Sequence, residues 1–437
     1  MNAMYEDKVE FTPEMRKTHT IYVPMMLPIH FSMIAQIFND NGYHVEILQN
    51  TSQEVIDEGL KNVHNDICYP ALLVIGQMIE ALKSGKCDPD KTAFMITQTG
   101  GGCRASNYIY LLRKALKNSG YGHIPVISLN LSNLEKNAGF RFTPGIIIKA
   151  SFAVLYGDML MCIANQCRPY ELVKGDTQKT LDKWTKTISK QLKSTQFLQV
   201  KKNYRAILED FAKIPRNDES KVKVGIVGEI YMKYSPLGNN SLEDFLVAEG
   251  AEPVVSGVMD FLLYCFSNRE TDQKLYGIKH PANILAKLAV KYIEKRQEQI
   301  IRAIEEQGVF TPPSRFHELE DLVEDYIGKG AKMGEGWLLT AEMAELIHSG
   351  VNNIVCTQPF GCLPNHIVAK GMIRKLKDKN PQANIVAIDY DPSATKINQE
   401  NRLKLMLANA RGQLQTQAQT KPSYEPHQAP IGKKIYI

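Results

Sequence analysis

The sequence predicts an α/β chain: two Rossmann-like or flavodoxin-like domains with mainly parallel sheets and a helical connection between them. Three observations predict this class. Short apolar runs of strand length recur, such as Ala93-Phe94-Met95-Ile96 and the alternating Val224, Ile226 and Val227. They are interleaved with longer stretches at helical spacing, such as 71–82 and 105–118, and strand–helix alternation is the pattern of a parallel sheet. Glycine and proline turns carry the chain from strand to helix, the most marked being Gln98-Thr99-Gly100-Gly101-Gly102-Cys103-Arg104.

The chain can be taken in order. Residues 1–18 read as a flexible lead-in. A strand at 19–23, a helix at 28–38 and a strand at 44–48 open a first α/β domain over 19–150. A short helix at 54–61 follows, then His64-Asn65-Asp66-Ile67-Cys68-Tyr69-Pro70 and an apolar helix at 71–82. Pro70 suits a first helical turn, with Asn65 and Asp66 as capping candidates. A strand at 91–97, the glycine turn, a helix at 105–118 and a strand at 125–129 complete the domain.

Residues 151–220 form a helical segment ending in a polar break at 215–220, a domain boundary. A second α/β domain spans 221–411, with strands at 221–227, 254–255, 353–357 and 384–388. Its helices fall at 242–249, 282–306, 316–327, 338–348, 366–376 and 394–410. Residues 412–437, rich in Gln, Pro and Thr, read as a loose tail.

Bulk properties narrow the function classes. The 437 residues suffice for two or three domains, and 44% apolar with 23% charged content is ordinary for a globular chain. A net charge of +5, with no basic run interleaved with aromatics, gives no reason to expect nucleic acid as a partner. No apolar run reads as long enough to span a membrane, and the polar N-terminus has no signal-peptide core, so no membrane and a cytoplasmic location are expected. Eight cysteines stand at 68, 87, 103, 162, 167, 265, 356 and 362. In a large cytoplasmic chain they point to metal binding, redox chemistry or packing rather than a disulfide framework.

Three of them share one setting. Cys68, Cys103 and Cys362 each lie in a strand-to-helix turn or just before a helix. Such turns gather at the carboxyl edge of a parallel sheet, where ligands bind, and the helix dipole there favours a thiolate. Two come from the first domain and one from the second, so the natural site lies between domains. Three thiolates would hold three irons of a 4Fe–4S cube. Cys356 is the spare thiol for a fourth position, and Arg104 and Asn107 beside Cys103 are candidates to contact an anionic ligand or the cluster. Zinc, with His64 or His366 added, is the alternative metal. Cys162, Cys167 and Cys265 read as packing residues. Asp389 and Asp391 suit capping better than metal binding, and Glu335 suits a helix start. There is no Walker P-loop and no full GxGxxG.

The motifs around these cysteines, together with Thr97 to Tyr108, Gly228-Glu229-Ile230-Tyr231 and Cys356-Thr357-Gln358-Pro359-Phe360-Gly361-Cys362-Leu363-Pro364-Asn365-His366, resemble the C-terminal part of the large acyl-CoA dehydratase activase-like proteins. That part is similar to subunits of 2-hydroxyacyl-CoA dehydratases, benzoyl-CoA reductases and double-cubane-cluster proteins. The resemblance runs from about residue 22 to 411. It implies two α/β domains with an iron–sulfur cluster between them, 4Fe–4S or a double cubane, whose three cysteines fall on Cys68, Cys103 and Cys362. It also implies low-potential electrons from an ATP-hydrolysing activator of actin-like fold. This sequence contains no such ATPase module, so activator and companion subunit would be separate chains, and a homo- or hetero-dimer fits the same scheme. The expected function is an iron–sulfur electron-transfer or reductase component of a 2-hydroxyacyl-CoA dehydratase-like system. The alternative is a non-catalytic scaffold or regulatory subunit with structural or zinc-binding thiols. A nucleotide-binding protein using Gly100 to Gly102 is a third option, which the missing phosphate-binding lysine disfavours.

Overall fold

The computed structural model of the chain describes residues 8–64, 66–99, 101–130, 135–278 and 282–420. Two four-stranded parallel sheets organise it, as the strand–helix alternation predicts. The first is built from β1 (Thr20–Val23), β2 (Val45–Ile47), β3 (Thr92–Thr97) and β4 (Val126–Leu129), in the order β2-β1-β3-β4. The second is built from β5 (Val222–Gly228), β6 (Ala251–Val255), β7 (Asn353–Pro359) and β8 (Asn384–Tyr390), in the order β6-β5-β7-β8. Every neighbouring pair is parallel. Counted from the first strand of each, the two orders are identical. Each sheet therefore has a switch point, between β1 and β3 or between β5 and β7, where loops diverge and a crevice opens.

The strands read as continuous apolar runs because helices cover both faces. Thr92 to Ile96 are all buried in β3. Side chains alternate along β7: Val355 joins a core running through both domains, while Ile354 and Cys356 join a second cluster with Leu339, Val368 and Leu376. Pro253 lies within β6 without breaking it, because β6 is an edge strand.

Helix Pro144–Cys167 ties the two halves together. It packs against helices Pro28–Asp40, Asp176–Gln191, Val200–Ala212 and Val258–Tyr276. Its Asp158 carboxylate lies 2.8 Å from His30 Nε2 in the first domain. The same carboxylate accepts the amides of Val258 and Met259, each at 2.9 Å, in the second. By length and composition this helix could cross a membrane, with a mean hydropathy of 1.8 over an 18-residue window, which corrects the expectation that no run is long enough. Its apolarity has a local cause: it is enclosed by helices on several sides, and 61% of that window is buried within the protein.

Other departures have identifiable causes. Residues 8–18 of the expected flexible lead-in are held: Phe11 is fully buried and its amide donates to Asn137 Oδ1 at 3.3 Å. The last helix runs over Lys396–Thr420, well into the expected tail, because Gln, Ala and Leu sustain a helix there. Helix Val258–Tyr276 is not among the helices expected from the sequence, its charged second half masking the period. Cys265 falls on its exposed side and is not a core residue.

Candidate functional site

Three turns meet between the sheets, and each carries one of the three singled-out cysteines. Cys68 directly precedes helix Tyr69–Lys83, and Cys362 precedes helix Leu363–Val368, each with a proline in the first turn. Cys103 precedes a 3₁₀ turn, Arg104–Asn107, which leads into helix Tyr108–Asn118. The helix predicted to begin at 105 thus has a tighter first turn. All three cysteines have extended backbone at the N-cap position, and none uses its side chain to cap its own helix. The thiols are left available for another role.

Direct contacts hold the turns together across the two domains. The Tyr69 amide donates to the Phe360 carbonyl at 2.9 Å. A Cβ at Gly361 would stand 3.0 Å from Cys68 Cα, and φ there is +71°. The Arg104 guanidinium donates to the Asp66 carbonyl, tying the glycine turn to the segment before Cys68. Residues 333 and 334 bridge the other two turns: Gly102 lies against Met333 Sδ, and Gly334 against the Pro364 ring. Cys68 and Cys362 are buried, and Cys103 is half-buried. Cys103 feels the charge of Cys68, and Cys362 that of Cys103, so the three thiols lie within electrostatic reach of one another.

Tyr108, Glu229 and Glu335 complete the site. Tyr108 Oη lies 2.7 Å from Cys68 Sγ. Glu229 follows β5 at the switch point of the second sheet, and its Oε2 accepts the Met232 amide at 2.9 Å. Glu335 Oε1 accepts the Ile230 amide at 3.0 Å, so both carboxylates gather at one short helix, Ile230–Tyr234. Neither forms an ion pair among the described residues. Burial, with Glu335 nearby, pushes the Glu229 carboxyl up to about 8, and burial raises Glu335 as well.

The helix ends do not create thiolates here. Burial pushes the Cys103 thiol up to about 12, with Glu335 and Glu229 adding to it and the Ala105 amide opposing it. Burial likewise raises Cys68, against the Tyr108 hydrogen bond, and raises Cys362, with Glu229 and Glu335 adding to it. Desolvation and two carboxylates outweigh the dipole, which corrects the expectation of dipole-favoured thiolates. The donor set is one that a cation would deprotonate: three thiols and two carboxyls with no basic residue ion-paired among them.

Among the described residues, no three such side chains converge closely enough to hold a single metal ion. A cubane makes a different demand, since its thiolates bind separate irons and stand apart from one another. Three thiols on separate turns within electrostatic reach fit that larger group better than a zinc ion.

The remaining candidates lie elsewhere or do other work. Cys356 is fully buried in β7 with its Sγ toward Asn365 Oδ1 at 3.7 Å, in the apolar cluster of the second sheet and apart from the three turns. Arg104 serves as a strut to Asp66, and Asn107 makes no capping bond. His64 is exposed beside Asp66, and His366 Nδ1 lies 2.9 Å from the Cys362 carbonyl, so neither points to a metal. Asp389 pairs with Lys370 and Arg402, and Asp391 accepts from Ser393. Cys167 is buried and Cys162 half-buried. Asp66 does not cap helix Tyr69–Lys83, and Asn65 and Gly100 lie outside the described residues.

Sequence reasoning missed the roles of Tyr108 and Glu229, although both stand inside the motifs that carry the resemblance. The apolar spacing of its helix hid the Tyr108 hydroxyl, and a glutamate after a strand reads first as a cap. No protein-family model matches the chain, and no curated protein matches it.

Proposed function

We propose that the chain is an iron–sulfur electron-transfer or reductase component, with Cys68, Cys103 and Cys362 as the thiolates that hold the centre. One observation carries this reading: three N-capping cysteines, none bonded to its own helix, come from both domains to one crevice. When bound, such a centre supplies one-electron chemistry at low potential. The residues around it orient the thiols, hold them apart and restrict water. Tyr108 Oη, 2.7 Å from Cys68 Sγ, is placed to donate to a Cys68 thiolate, a hydrogen bond of the kind that tunes such a ligand. The half-buried Cys103 side is the way in for a substrate or an electron partner. The motif resemblance supports a 2-hydroxyacyl-CoA dehydratase-like system, fed by a separate ATP-hydrolysing activator of actin-like fold and joined to a companion subunit or a second copy. A cytoplasmic setting belongs to the same proposal.

The test is anaerobic purification followed by iron and sulfide analysis, absorption and EPR. About four irons with acid-labile sulfide per chain support a cubane, and about twice that number a double cubane. A folded chain that takes up no iron after anaerobic reconstitution overturns the proposal and leaves a docking subunit with structural thiols.

A further inference from the structure

Three thiolates leave one position of a cubane without a protein ligand, and Cys356 lies in the core of the second sheet instead. A different group stands at the crevice. Glu229 leaves β5 where it abuts β7, the strand that leads to Cys362. The two strands touch so closely there that a Cβ at Gly228 would meet Thr357 Oγ1 at 2.0 Å, which fixes the position of residue 229. Glu229 acts electrostatically on all three thiols. One of its oxygens is held by the Met232 amide, and Glu335 is fixed beside it by the Ile230 amide. The segment carrying Glu335 rests on the Cys103 turn through Met333 and on the Cys362 turn through Gly334.

Glu335 is buried and Glu229 half-buried, and neither carboxyl is ion-paired with a lysine or arginine among the described residues. A carboxylate oxygen is a ready ligand for an iron ion. We propose that Glu229 is the oxygen-donor ligand of the iron that the three cysteines leave open, an inference that rests on the iron–sulfur reading. Glu335 is a positioning residue, holding the amide end of helix Ile230–Tyr234 that also fixes Glu229.

The experiment is parallel anaerobic reconstitution of the wild type, Glu229→Gln, Glu229→Asp, Glu335→Gln and Cys103→Ser, each checked for folding by circular dichroism. Iron and sulfide are counted, Mössbauer spectra recorded, and conversion to a 3Fe form under mild oxidation followed by EPR. Glu229→Gln is expected to keep its sulfide and bind the unique iron about tenfold more weakly, so that the 3Fe signal grows in sooner. Glu229→Asp, which keeps the oxygen donor, should fall between the two, and Cys103→Ser should lose the centre. Glu229→Gln with the unique iron's Mössbauer parameters and 3Fe conversion unchanged overturns the ligand assignment alone. Equal loss in Glu229→Asp and Glu229→Gln, where the aspartate variant is folded, also overturns it. A wild type without iron overturns the iron–sulfur reading and this inference together.

Discussion

Gly361 lies flat against Cys68: a Cβ on residue 361 would come within 3.0 Å of the cysteine's Cα. The contact joins the two domains at their thiol turns, beside the hydrogen bond from Tyr69 to Phe360. It needs both the absence of a side chain and a φ of +71°, which only glycine adopts without strain.

Gly361→Ala should therefore cost more than the conformational penalty alone. Gly308 is the internal control, with φ +73° and open space within 4 Å of where a Cβ would stand. Gly308→Ala should lose about 1–2 kcal/mol in a denaturant titration. Gly361→Ala should lose roughly 1–3 kcal/mol beyond that, and should weaken metal retention as the Cys68 and Cys362 turns separate. Equal losses at the two sites would show that the contact carries no energy.

A second prediction concerns Lys233 and Glu342, which lie 2.7 Å apart with side chains 5% and 4% exposed. Ser256 Oγ bonds to both, at 2.6 Å each. Lys233→Met leaves a carboxylate buried and unpaired, and should cost about 3–5 kcal/mol. The double variant Lys233→Met with Glu342→Leu should recover most of that loss, because the two desolvation penalties disappear together. A double-mutant cycle measured by urea unfolding reads the coupling directly.

How much of this was legible in the sequence depends on what each signal measured. The strands of both sheets were visible because burial on two faces writes a continuous apolar run, as Ala93 to Ile96 do. The three thiol turns were visible because each strand or loop ends in glycine or proline just before a helix. The tie between them was not visible, since the contact of Gly361 with Cys68 joins residues that are far apart in the chain. Cys356 looked like a fourth ligand because it is near Cys362 in sequence. In a strand, however, it takes the opposite course, into the cluster with Val368 and Leu339. The protonation state of the thiols was misjudged for a related reason: the helix ends are local, but the burial that raises all three thiols comes from packing between segments far apart in the chain.

The pH dependence of stability should carry the mark of Asp260. Burial pushes its carboxyl from 3.8 up to about 7, with Asp158 and Glu342 adding to the rise and Gln297 and Lys233 opposing it. Its folded form thus holds a proton that the unfolded chain has released between about pH 4 and pH 7. Stability should fall as pH rises through that window, by on the order of 4 kcal/mol from this group in full. Asp260→Asn keeps the bond to the Gln297 side chain and should flatten that part of the profile. Thermal unfolding from about pH 4 to 8 measures it, and an unchanged slope in the variant would assign the dependence to other groups.

The cysteines themselves provide the sharpest separation of roles. Cys68→Ser, Cys103→Ser and Cys362→Ser each remove a thiol from a turn at the crevice, and each should reduce reconstituted iron severely. Folding should change least in Cys103→Ser, because Cys103 is only half-buried. Cys356→Ser should do the reverse. It places a hydroxyl among Val368, Leu339 and Ile354, where a poorly satisfied polar group costs about 1–3 kcal/mol, and it should leave the iron content unchanged. Iron per folded chain, set beside the unfolding midpoint for all four variants, distinguishes the two kinds of cysteine. Loss of iron in Cys356→Ser at undiminished stability would restore that residue to the ligand set and displace Glu229 from it.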